Sequence, residues 1–320
     1  MKILSPDNRD RSLQRGSLIL AVFWVMAVMG VALVASMRVV SYQTNVVNAQ
    51  LDGVTALQYA ERGVAIATNR STKPWTSLLE QNFEEGGFKA TLRSNGGRFN
   101  LNTILLQQPE PDKELLRRMF TEWGMDVEDA EVAIDSLVDW VDRGELEEFN
   151  GAEERYYQSQ GQPLFPYNRP FHSLDEARLV RGMDVVEAYN PNWRDWFTLW
   201  SSGKIDLSAA SPEIIRVAID GSREDAQRIS EHVDGPDGIR FTEDDNIRQG
   251  QFPGPGWLVQ ELGLNDDQGL LANRIANAPD RIERIESEGF VGTVRRRIVL
   301  LVQNRRGNPQ ILDRREEFVK

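Results

Sequence analysis

The sequence predicts an α+β chain: a long N-terminal helix, transmembrane then amphipathic, packs on a small antiparallel sheet that carries a large all-α insertion. Three observations predict it. Residues 17–37 contain no charged side chain. From residue 39 to 70 the pattern stays helical, with no proline. After Pro74, strand-like segments flank a helical stretch. The expected boundaries are a leader at 1–16, the long helix at 17–70, sheet segments at 71–102 and 197–320, and a helical insertion at 103–196. An acidic loop is expected at 233–256.

Along the first element, a fully apolar run of this length is about 30 Å as a helix, enough to cross a bilayer's hydrocarbon core. Lys2, Arg9, Arg11 and Arg15 precede it and Arg38 follows, a bias that keeps the N-terminus inside and exports the rest. Three readings compete: a cleaved secretory signal, a plain signal anchor, and a short leader cut before a retained helix. The third has a local feature. Gly16 ends a basic, polar segment and the apolar run starts at Ser17. Glycine breaks the helix and opens the peptide bond to a membrane protease. Beyond the span, Leu51, Val54, Leu57, Ala60, Val64 and Ala67 form one stripe expected to lie on the sheet.

In the body, 85–94 and 98–101 read as two strands joined by Asn95-Gly96-Gly97, a hairpin. Helices are expected at 113–123 and 128–141. A capping box at Ser173 and Glu176 opens another, ending near Gly182. Short strands follow at 197–201 and 204–207, then a helix with Ser211 as its N-cap and Pro212 at its first position. The tail reads as three strands, 280–288, 292–303 and 310–318.

Composition narrows the function. The chain has 320 residues and a net charge of −12, which repels phosphate backbones and excludes nucleic acid as a natural partner. There is no cysteine, so thiolate chemistry and disulfides are excluded. The two histidines, His172 and His232, stand far apart, and no catalytic motif accompanies them, so no enzyme is expected. Asp234, Asp237, Glu243, Asp244 and Asp245 crowd a glycine-rich loop. Such hard oxygens on a tightly folding backbone suit Ca²⁺. Asp139, Asp142 and Glu153 form a second candidate set.

Several stretches resemble a known family. Gly16 before a retained apolar helix is similar to the prepilin peptidase site of the type IV pilin superfamily. Asn100-Leu101-Asn102, the run Asp135 to Asp142, Asn150-Gly151-Ala152-Glu153 before Tyr156-Tyr157, and Asn168-Arg169-Pro170-Phe171 before Ser173 to Met183 resemble the minor pseudopilin K family (GspK type) of type II secretion. The likeness runs from residue 15 to about 300. It implies cleavage after Gly16, N-methylation of Ser17, and an inner-membrane anchor with a periplasmic body. It implies I- and J-type minor pseudopilins, the major pseudopilin and prepilin peptidase as partners, a place at the filament tip, and structural Ca²⁺. The family also lacks the glutamate that most pilins carry at the fifth mature position, here Ala21. Residues 143–148 depart from the family, which more often shows further aspartates there. A minor pilin of a related type IV filament, or a signal-anchored periplasmic enzyme, are the alternatives.

Overall fold

The computed structural model describes residues 10–107, 110, 112–144, 146–266 and 269–319, with side chains from residue 19 onward. Helix α1, Asp10–Thr68, is continuous. From Ile19 on it is long and apolar enough to cross a membrane, and none of its most apolar stretch is buried within the chain. Gly16 and Ser17 lie in its backbone, with their side chains outside the description, as is most of the expected leader.

Strands β1 (Glu80–Asn82), β2 (Gly86–Ser94), β5 (Ile282–Val291), β6 (Val294–Gln303) and β7 (Gln310–Val319) form one antiparallel sheet. Its order is β1-β2-β5-β6-β7. The last part of α1 crosses it, burying Ala56, Tyr59, Ala60, Val64 and Ala67 against Phe88, Leu92, Ile285, Ile298 and Leu300. The contact is close. A Cβ at Gly289 would stand 1.9 Å from the carbonyl oxygen of Ala56, so only glycine lets helix and strand meet there. Leu51 and Val54, expected in the same stripe, are exposed because the helix has not yet reached the sheet.

Arg305, expected in an ordinary turn, is buried at the far end of this sandwich. Its guanidinium pairs with Glu283 at 2.8 Å and donates to the carbonyls of Ala67, Asn69 and Thr72. Those carbonyls have no partners within the helix, so the arginine satisfies a helix end and ties it to β5.

The second body is helical: α2 (Leu101–Leu106), α3 (Lys113–Glu122), α4 (Val127–Val141), α5 (Glu154–Ser159), α6 (Met183–Tyr189), α7 (Pro212–Ile219), α8 (Arg223–Asp234), α9 (Pro255–Leu262) and α10 (Leu270–Arg274). One core runs through it from Phe99 to Ile275. The expected boundary at 196/197 therefore does not divide the packing: residues 197–276 belong with the helices, and the sheet resumes at Ile282. The body joins the sheet where β2 ends and β5 begins, beside the C-terminus of α1. It thus sits at the end of α1 farthest from the apolar span.

Two local expectations are corrected. There is no 85–94/98–101 hairpin. Strand β2 pairs with β5, while Phe99–Asn100 (β3) pairs in parallel with Phe197–Thr198 (β4). The reason is Asn95, whose amide donates to Thr198 Oγ1 and the carbonyl of Trp200, sending the chain into the helical body. Glu176 does not close a capping box on Ser173. Its carboxylate is drawn to Trp140 and Arg169, and Gly182, at φ 84°, begins α6 rather than ending a helix.

Candidate functional site

The densest polar structure lies at the end of α4. Asp135 and Asp139 are four residues apart, so they share one helix face. Both are buried. Asp135 accepts from Lys113 Nζ at 2.8 Å, from the backbone N–H of Asn150 at 3.0 Å and from Asn150 Nδ2 at 3.2 Å. Asp139 accepts from the N–H groups of Glu148 at 3.1 Å and Ala152 at 2.8 Å. The loop after α4 therefore folds back over the helix end. A Cβ at Gly151 would stand 1.8 Å from Asp139 Oδ2, so glycine permits the approach.

The other sequence motifs close the same structure. Arg181 donates to the Gly151 carbonyl at 2.8 Å, and its own N–H donates to Tyr157 Oη at 3.3 Å. Trp140 Nε1 donates to Glu176 Oε1 at 3.0 Å, and the same carboxylate takes Arg169 at 3.1 Å. Asn102 clasps Phe171, accepting from its N–H at 2.8 Å and donating to its carbonyl at 3.0 Å. Asn100 caps α2 through the N–H of Thr103 at 3.1 Å. Motifs spread over some eighty residues are thus one interlocked fold element.

Asp135 and Glu176 have bases, Lys113 and Arg169, but not every acid here does. Glu153, at the start of α5, is 8 % exposed, and its Oε1 is buried with no hydrogen-bond partner. Among the described residues, none of Asp139, Asp142 and Glu153 has an ion pair. Burial, opposed by two backbone N–H groups and aided by Asp142 and Glu148, pushes Asp139 up to about 6. Burial, then Asp139 and Asp142, pushes Glu153 up to about 7. Asp142 is half-buried and accepts from the Gly144 N–H at 2.9 Å.

The five carboxylates of the acidic loop do not converge. Asp234 pairs with Arg240. Asp245 is fully buried and accepts from the N–H groups of Phe241 at 3.0 Å and Thr242 at 3.1 Å, which closes a turn. Asp244 accepts from Thr242 Oγ1, Asp237 accepts from the Ile239 N–H, and Glu243 is exposed. Among the described residues no group of three or more acidic or histidine side chains is arranged as a metal cage. His172 is exposed, and His232 packs on Trp257 with ring centroids 4.3 Å apart. Ala21 lies exposed on α1.

Sequence reasoning quoted Asp135, Asn150 and Arg181 within motifs without giving them a role, and it missed Lys113. The signal was available: two aspartates at helical spacing on an otherwise apolar face require partners.

A sequence model described as type II secretion system (T2SS), protein K, matches residues 97–191, which covers the whole of this network. A putative type II secretion system protein K of Escherichia coli K12 is 25 % identical over 191 residues, 53 % of this chain and 58 % of the relative. The type II secretion system protein K of Klebsiella pneumoniae is 26 % identical over 193 residues, 54 % of this chain and 59 % of the relative. Both matches therefore span well under two thirds of the relatives' length. In fold, the chain is similar to one in the crystal structure of the GspK-GspI-GspJ complex from the enterotoxigenic E. coli type 2 secretion system. The TM-score is 0.58 at 16 % identity, over 88 % of this chain and 99 % of the other. Residues 97–191 thus carry a domain of type II secretion system protein K, and the chain's long apolar helix, antiparallel sheet and motif-built helical body have the fold of a GspK-type minor pseudopilin.

Proposed function

We propose that this protein is the tip subunit of a type II secretion pseudopilus, where it assembles with I- and J-type minor pseudopilins and nucleates the filament for export across the outer membrane. The observation that carries this is the uncovered apolar surface of α1. Residues 19–37 suit lipid, but Val39, Val40, Val46, Val47, Leu51 and Val54 continue beyond a bilayer's thickness and stay exposed. Other helices are the natural cover for them. The solved complex of similar fold, which pairs a K subunit with I and J, supports those partners. The helical body at the far end of α1 supports a terminal position, since it occupies the place where another subunit would stack. The role is structural rather than catalytic, and the major pseudopilin joins below the tip.

The anchor is a single inner-membrane span with the N-terminus cytoplasmic and the body periplasmic. Prepilin peptidase cleaves after Gly16, and Ser17 is N-methylated. The mass of the N-terminal peptide of wild type and Gly16→Glu checks this. A mature chain starting at Ser17 in wild type alone supports it, and an intact Met1 end in both sinks it.

Calcium belongs at Asp139, Asp142 and Glu153 on this reading, not in the acidic loop. What supports it is the donor set, hard oxygens of which one is buried and without a partner, although the three side chains are not arranged as a ready cage. A divalent cation would supply the missing positive charge and hold the loop after α4 against the helix.

The assembly reading is tested by co-purifying the full chain from detergent with the I- and J-type subunits. Val46→Asp with Leu51→Asp should abolish capture while leaving the body folded. Undiminished capture by the double variant would remove α1 from the interface and the reading with it.

A further inference from the structure

The chain is strongly acidic, yet one of its cavities is basic. This cleft, of about 910 Å³, opens where α1, the start of β5, the β6–β7 turn and the loop before α9 meet. Six basic residues line it against two acidic ones. Both acids are already engaged. Asp280 accepts from the N–H groups of Ser202 and Ile282, and Glu283 is held by the buried Arg305. Among the described residues Arg70, Arg281 and Arg306 have no ion pair, although 49 acidic side chains are available in the chain. Lys73 and Arg248 stand over Trp75, at 5.2 Å and 3.8 Å from its ring centroid. Arg248 has a carboxylate, Asp245, only at 3.7 Å. Burial lowers its pKa, with Asp245 opposing and the neighbouring Arg306 adding to the lowering.

Unpaired cations gathered in a concave site repel one another, an arrangement that an anionic ligand relieves. The volume lies at the upper end of ligand pockets, more than one phosphate or carboxylate needs. The cations also come from four separate segments, so they are spread along the cleft. Lipid headgroups are out of reach. The helix from Met37 to Thr68 places the cleft about 45 Å beyond the end of the apolar span. We propose that this cleft is a docking groove for an acidic peptide segment of another protein, bound through side-chain carboxylates to Arg70, Arg281, Arg306 and Lys73. The rest of the surface, being acidic, repels such a segment and so directs it here. This inference is independent of the calcium reading and of the α1 interface, because it uses residues of neither.

The test titrates the full chain in detergent micelles with a short fluorescein-labelled peptide of alternating glutamate and serine, read by anisotropy. Saturable binding is expected, weakening as salt rises. R281E with R306E should weaken it at least about tenfold. R70Q and R306Q, which add no new charge, should each weaken it less in the same direction. R295E changes charge elsewhere on the sheet, at a residue paired with Glu288, and should leave binding unchanged. Absence of saturable binding overturns the proposal. So does an equal loss in R295E, which would reduce the effect to net charge, or silence of both glutamine variants. Displacement of the peptide by inorganic phosphate at matching concentration, or by an oligonucleotide, would assign the cleft to phosphate groups and overturn it as well.

Discussion

Two segments of this chain are rich in carboxylates, and the fold treats them differently. In the loop after α8, Asp234 has Arg240, and Asp245 closes a turn by accepting two backbone N–H groups. Each acid there is either paired, capping or exposed. At the end of α4 and the start of α5, Asp139 and Glu153 are buried, and among the described residues neither has an ion pair. Density of acids in the sequence points to the loop. Buried, unbalanced negative charge points to α4. The second is the stronger sign of a cation, because a charge taken out of water without a partner is costly and a solvated acidic turn is not.

The largest expected effect separates the two directly. Ca²⁺ at a thousandfold excess over its dissociation constant should stabilise the chain by about 4 kcal/mol, read as a higher melting midpoint than in EDTA. Asp139→Asn with Glu153→Gln should abolish that rise, and Asp234→Asn with Asp237→Asn should leave it intact. The reverse pattern would return the metal to the loop.

A second expectation concerns pH in EDTA. Folded Asp139 and Glu153 hold protons up to about 6 and about 7, above their ordinary values of 3.8 and 4.5. The folded state therefore binds more protons than the unfolded one between those limits, and its stability falls as pH rises through them. From pH 4.5 to pH 8 the loss is about 3 kcal/mol for this interacting pair. Below about pH 4.5 the trend turns over, as Glu286 and Glu288, held low by arginines on the sheet, lose their charge. Melting curves across pH check both limbs. Asp139→Asn with Glu153→Gln should flatten the upper limb only.

The same contrast explains what could be read in the sequence. The apolar span, the last three strands, and helices α3 and α4 follow from periodicity, which is local. The β2–β5 pairing does not, because residues 95–281 intervene and Asn95-Gly96-Gly97 looks like a hairpin turn until Asn95 finds Thr198. Family motifs marked where the network lies but not why. Asn150, Gly151 and Arg181 acquire meaning only once Asp135 and Asp139 are buried and need donors. The basic cleft was invisible for the same reason: Arg70, Arg248, Arg281 and Arg306 are scattered in sequence and gathered only by the join between sheet and helical body.

The smaller effects sharpen the comparison within the loop itself. Asp245→Ala removes the acceptor of two backbone N–H groups in a buried turn, which should cost about 1–3 kcal/mol whether or not calcium is present. Glu243→Gln, at an exposed side chain a few residues away, should stay within about 0.5 kcal/mol. If the loop were a metal site, both would act through the cation, and their costs would grow when calcium is added. If it is a self-satisfied turn, the two costs differ from each other but neither changes between calcium and EDTA. Denaturant midpoints of the two variants, each measured with and without calcium, read that difference, and a calcium-dependent cost for Glu243→Gln would be enough to reopen the loop as a site.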